Sequence, residues 1–182
     1  IVPSRCVDMR EWLPTHPSKV YYSRSLGELT HIVVHHSGPA PLDMTAEQAA
    51  ICTATYDIAP HGPNLEEWPG CSYHVIIVPS GDWGYCQSLT VISYHVGNYN
   101  RGAVGVCLWG DYRTTPVPDV MVDSLEEFCR WVQHERHVWA DDVGAATRRL
   151  QVVGHRELTA TTCPGDYGML AVAEVNRRLV LL

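Results

Sequence analysis

His155 and Cys163, eight positions apart, and the His35-His36 pair far upstream are the residues whose types and placement invite chemistry. Imidazole nitrogen and thiolate sulfur are favoured zinc ligands. Each histidine follows a short apolar run, Val33-Val34 before His35 and Val152-Val153-Gly154 before His155. Such runs read as strands, and strand ends with their following loops are where a rigid scaffold presents reactive groups. With the two strands side by side and the Cys163-Pro164-Gly165 turn folded back over them, His35, His155 and Cys163 form three ligands with a fourth position open. Three ligands and an open position is the catalytic pattern, whereas structural zinc is closed by four. Two neutral imidazoles and one thiolate would leave the ion a net charge near +1, enough to polarise a carbonyl and to acidify water. The residue types support equally a nucleophilic Cys163 activated by a nearby histidine. Against that, Pro164-Gly165 directly after the cysteine is unlike a helix N-terminus, where reactive thiolates are stabilised.

The elements that must position these groups read as one α/β domain. His31–His35, 73–78, 104–109 and 150–153 are strand-like, with 83–87 returning from 73–78 as a hairpin across Pro79-Ser80-Gly81-Asp82. Helices are predicted over about 45–58, with Thr45 and Gln48 at capping-box spacing and Ile51, Ala54 and Ile58 inward. Two more are predicted over 119–139, on Met121, Leu125, Phe128 and Val132, and over 166–180, on Val172, Val175 and Leu179. The pattern implies a central mixed sheet flanked by helices, with the candidate site at strand ends. Residues 1–30 read as a lead-in segment packed on the domain, with a short helix near 7–13 and Trp12 buried, and 31–182 as the domain proper.

Composition sets the outer bounds. At 182 residues, 46% hydrophobic and 18% charged, the chain can bury a core, and no apolar run reaches the ~18–20 residues of a membrane span. The formal charge of −7, with Lys and Arg scattered, excludes a basic nucleic-acid footprint. The seven cysteines lack the spacing of a disulfide framework and are read as reduced, with Cys107 in a strand and Cys129 on a helix face.

Five stretches occur in an order that carries a resemblance: Val-Val-His-His-Ser at 33–37, Tyr-His-Val-Ile-Ile at 73–77, Tyr-His-Val-Gly-Asn-Tyr-Asn-Arg-Gly from 94, Ala-Val-Gly-Val from 103, and Gly-His-Arg-Glu-Leu-Thr-Ala-Thr-Thr-Cys-Pro-Gly at 154–165. Over about residues 31–180 the chain resembles the type 2 N-acetylmuramoyl-L-alanine amidases, which include phage amidases and animal peptidoglycan recognition proteins. The resemblance implies one Zn²⁺ per chain on His35, His155 and Cys163, and cleavage of the amide between N-acetylmuramic acid and L-alanine in peptidoglycan. It implies catalytic roles for Tyr73, directed at the zinc-bound water or the developing oxyanion, and for Thr161, directed at the oxyanion, with substrate contacts by His36, His95 and Asn100. Binding-only members typically lack a ligand, often the cysteine, so the intact set implies an enzyme, and the alternative is a peptidoglycan-recognition module without turnover. Recycling members carry a glutamate where this chain has Cys107, a departure that leaves the general base open. The implied partner is peptidoglycan, met by a monomer at the cell wall after secretion, in the periplasm or on phage release.

Overall fold

The computed structural model describes residues 5–139 and 148–180. In chain order its elements are β1 (Cys6–Asp8), β2 (Tyr22–Ser23), β3 (His31–His36), α1 (Ala46–Ile58), β4 (Val75–Ile77), β5 (Trp83–Tyr85), β6 (Val91–Ile92), β7 (Ala103–Leu108), α2 (Asp119–Trp139), β8 (Gln151–Gly154) and α3 (Asp166–Val180). Six strands form one mixed sheet in the order β1-β5-β4-β7-β3-β8. β4, β7, β3 and β8 run parallel, β5 turns back antiparallel to β4, and β1 lies parallel to β5. The carboxyl ends of the four parallel strands therefore open on one edge, where ligands bind in open α/β sheets.

Both faces are covered, which is why β3 and β7 read as nearly continuous apolar runs. Ile32, Val34, Val104, Val106, Val75 and Ile77 face α2 and α3, meeting Met121, Leu125, Phe128, Val132, Val172 and Val175. The alternate residues Ile76 and Cys107 face the other way, onto α1, with Met9 and Trp109 in the same cluster. The period of two carries this division to the strand ends: His35 shares its face with Val33, and His36 shares its face with Ile32 and Val34.

Several expectations are corrected. Residues 6–8 form an edge strand, not a helix, and Trp12 is 79% exposed while Met9 and Leu13 fill the core beside it. Along α1 the buried stripe is Ala46, Ala49, Ala50 and Ala54, with Ile51 exposed. The helix approaches the sheet closely enough that a Cβ on Gly84 would meet the Ala46 carbonyl at 3.4 Å and Ala50 Cβ at 3.6 Å, so small residues pack there and Ile51 turns outward. The Thr45 cap forms as expected, its hydroxyl accepting from Gln48 N–H while Gln48 Oε1 accepts from Thr45 N–H. A small two-stranded sheet of β2 and β6, too short to leave a periodic signal, was not foreseen. No helix among the described residues is long and apolar enough to cross a membrane. All seven cysteines are free thiols, with Cys71, Cys86, Cys107 and Cys129 buried.

Candidate metal centre

The parallel ladder between β3 and β8 pairs Val34 with Gly154, so the next residues, His35 and His155, emerge side by side. Their rings lie 4.4 Å apart between centroids. The turn bearing Cys163 is tied back to the same edge because Arg156 N–H donates to the Cys163 carbonyl at 2.9 Å. Cys163 Sγ then stands 3.8 Å from His35 Nδ1. One donor atom from each of His35, His155 and Cys163 lies within 4.8 Å of the other two. Tetrahedral zinc, with bonds of about 2.0–2.3 Å, needs donors spaced by roughly 3.3–3.7 Å. The group is thus close to that size, and its donor chemistry, two imidazoles and a thiol, suits zinc.

The protonation states suit it too. Burial drives the His35 pKa well below that of an ordinary histidine, with His95, His155 and His36 adding to the effect, and burial alone lowers His155. Both rings are therefore neutral, the ligating form. Burial pushes the Cys163 thiol up to about 11, while the His36 backbone N–H, donating to Sγ at 3.4 Å, pulls the other way. A bound cation would complete that pull toward thiolate.

Tyr73, just before β4, places its ring 5.2 Å from that of His35, and burial raises its hydroxyl pKa well above the usual value. It is a persistent O–H donor at the edge of the group. Thr161 Oγ1 accepts from Cys163 N–H at 3.2 Å, on the exposed side of the turn. His95 lies behind His35, its Nδ1 at 3.0 Å from His35 Nε2, and burial lowers its pKa to about 3. Asn100 turns inward to its own loop, Oδ1 accepting from His95 N–H at 3.0 Å and Val96 N–H at 2.8 Å. His36 is not brought to the group: its ring points to the opposite face, where Nδ1 accepts from Tyr112 N–H at 3.2 Å and stands 3.7 Å from Asp111. Of the nearby carboxylates, Glu157 accepts from Gly154 N–H at 2.6 Å and Asp166 pairs with Arg156 at 2.7 Å.

Two clefts flank the metal group. One, of about 520 Å³, is walled by Tyr73, Asp57, Tyr56, Trp68 and Trp109. The other, of about 680 Å³, is more open and runs past His155 and His95 to Tyr94 and Lys19. Trp68 stands in the wall of both. Trp83 is fully buried against Phe128 instead.

A second buried histidine, His74, follows Tyr73 and faces away from the group, as expected of a structural residue, but its network with Arg24 was not foreseen. Buried His74 accepts at Nδ1 from Gly105 N–H at 3.0 Å, with Ser93 Oγ at 3.1 Å, and its Nε2–H donates to the Val91 carbonyl at 3.0 Å, with the Arg24 guanidinium packed 2.8 Å away. Arg24, itself buried, donates to the Leu89, Asn100 and Ala103 carbonyls. Glycine inside the run Val104-Gly105-Val106 marks a close approach too, that of the His95 ring on the other side of the strand.

A mixed sheet flanked by helices, whose parallel strand ends bring two histidines and a cysteine together, defines an α/β domain with a group that fits a zinc site. Residues 25–166 match the N-acetylmuramoyl-L-alanine amidase family, and the chain belongs to that family. Peptidoglycan-recognition protein LB of Drosophila melanogaster is 22% identical over 172 residues, which cover 91% of this chain and 66% of that relative. The chain thus spans just under two thirds of that protein. A variant of Drosophila PGRP-LB in complex with tracheal cytotoxin has the same fold, with a TM-score of 0.74 at 20% identity over 93% of each chain. The amidase LysC from Clostridium intestinale shares it too, with a TM-score of 0.64 at 16% identity over 98% of this chain and 99% of its own.

Proposed function

We propose that the chain is a zinc-dependent amidase that hydrolyses the bond between N-acetylmuramic acid and L-alanine in peptidoglycan. The reading is carried by the convergence of His35, His155 and Cys163 donor atoms within 4.8 Å, with His155 lining one cleft and Tyr73, beside His35, lining another. Its support is the family and the neutral imidazoles. When bound, zinc supplies a Lewis acid for the amide carbonyl and a water acidified toward neutral pH.

The chain's own residues do the rest. Tyr73 holds its proton and donates a hydrogen bond to the oxygen that gains charge as the carbonyl becomes tetrahedral. Thr161, whose oxygen accepts from Cys163 N–H, keeps its own proton free for the same oxyanion from the rim. The two clefts hold the substrate on either side of the scissile bond, with Trp68 as the shared wall. That relatives of this fold are called recognition proteins makes binding without turnover the second reading.

The test joins zinc content to turnover. Purified protein is analysed for zinc and incubated with purified peptidoglycan, with and without chelator, and new L-alanine amino termini are counted. About one zinc per chain and chelator-sensitive release are expected, with kcat of Tyr73→Phe lower by about 10²–10³-fold. Zinc without release would establish a recognition module. Activity without zinc, blocked by a thiol alkylator, would return Cys163 to the role of nucleophile.

A further inference from the structure

We propose that His95 is a positioning residue for the metal group: it accepts the Nε2 proton of His35 and so aims His35 Nδ1 at Cys163 and His155. The inference rests on the zinc reading above. It starts from the two sides of the His35 ring. Nδ1 stands 3.8 Å from Cys163 Sγ, while Nε2 faces His95 Nδ1 at 3.0 Å. A neutral imidazole has one bare nitrogen and one N–H, and the nitrogen toward a metal must be the bare one. The Nε2 proton then needs an acceptor inside the protein, because His35 is fully buried. Metal-bound histidines usually answer this need with a carboxylate or a carbonyl. Here the partner is a second imidazole, and its tautomer is set by the first.

Three features hold His95 in that role. Asn100 Oδ1 binds the His95 and Val96 amides and so fixes the loop that carries the ring. The ring lies directly against Gly105 of β7: a Cβ there would come within 2.8 Å of His95 Cγ and Cδ2 and 2.9 Å of Nδ1. β7 gives up a side chain at this point, which weakens a strand but makes room for the ring. Finally, the ring meets the Ala103 backbone and its Nε2 is buried. Although the ring edge lines the more open cleft, neither nitrogen is offered to a substrate. This placement departs from the substrate contact that the family resemblance implies for His95.

Zinc affinity, measured by competition with a chromophoric chelator, separates the two roles. His95→Leu removes the acceptor and is expected to weaken zinc binding by about 10–100-fold. His95→Asn, whose Oδ1 can occupy the place of Nδ1, is expected to recover most of the loss. Gly105→Ala, which displaces the ring without altering it, is expected to weaken zinc binding as well. Melting of the zinc-free variants checks folding, and kcat of His95→Leu is expected to return toward wild type at saturating zinc. If His95→Leu and Gly105→Ala bind zinc like the wild type and only KM rises, His95 is a substrate contact and the proposal is overturned. If the wild type itself takes up no zinc, the zinc reading fails first, an outcome read separately from the variants.

Discussion

His35 and His74 lie on either side of β7, both fully buried and both kept neutral by burial, yet they serve opposite ends. Both nitrogens of His74 are answered by protein: Gly105 N–H and Ser93 on one side, the Val91 carbonyl on the other. His35 has one nitrogen answered by His95, while the other looks at Cys163 Sγ and the His155 ring. Lone pairs converging on lone pairs gain nothing from one another in a dry interior and become favourable when a cation joins them. The contrast gives a criterion for buried histidines: a saturated ring holds the fold together, and a ring facing other donors is built for an ion.

The largest expected effect breaks the donor-facing half of that contrast. Cys163→Ala or His155→Ala should lose zinc and lower amide hydrolysis by about 10³-fold or more, since a metal Lewis acid contributes several kcal/mol to the transition state. Zinc analysis and the release of L-alanine amines check it, and the melting temperature of the zinc-free protein should change little because both side chains are only partly buried. The saturated half should behave in reverse. His74→Ala leaves Gly105 N–H and the Val91 carbonyl unanswered in the core, and should cost about 2–4 kcal/mol of folding stability. Zinc stoichiometry of its folded fraction should stay at the wild-type value. Urea unfolding combined with zinc analysis decides the matter, and loss of zinc from folded His74→Ala would erase the distinction between the clusters.

Asp57 is an intermediate case, a buried carboxylate in the wall of the tighter cleft whose Oδ2 accepts from Ser72 N–H at 2.7 Å. Burial raises its pKa from 3.8 to about 6, outweighing the hydrogen bonds from Ser72. A carboxylate with a raised folded pKa favours the folded state while it is protonated. Its contribution is therefore fully present below about pH 4 and is lost as pH rises to about 6, amounting to about 2–3 kcal/mol. Asp57→Asn should flatten that part of the stability–pH curve, as seen by melting between pH 4 and 7. The smallest effect falls at the rim. Thr161→Val should lower kcat by about tenfold while zinc is retained, because an exposed hydroxyl donor is worth less than a buried one. A loss as large as that of Cys163→Ala would make Thr161 part of the metal group and not of the rim.

Where the sequence was readable, the determinants were local. The Thr45–Gln48 box, the apolar runs ending in His35 and His155, and the helical spacing of Met121, Leu125, Phe128 and Val132 all recur in the structure. The convergence of His35, His155 and Cys163 was legible because a parallel pairing of two strands that each end in histidine brings them together directly. What was misread depends on partners distant in sequence. Ile51 was placed inward by periodicity, but the closeness of α1 to Gly84, 33 positions away, selects alanines for the buried stripe. Cys6–Asp8 became a strand because β5 offered an edge, which no pattern in three residues can announce. Apart from these, His36 and His95 were assigned to substrate on resemblance, and the structure adds where their rings lie. The strand's alternation sends the first to Tyr112, and the glycine at 105 lets the second settle behind His35.

The pairing of Val34 with Gly154 also bears on how this architecture could diversify. Two of the three donors are spaced by backbone hydrogen bonds between adjacent strands, so no loop has to hold them apart. The segment around Trp68, which walls both clefts, could therefore be lengthened, shortened or exchanged without rebuilding the His35–His155 pair. Substrate preference and chemistry become separable inheritances, and a designer grafting new loops onto this scaffold would begin with the centre already assembled.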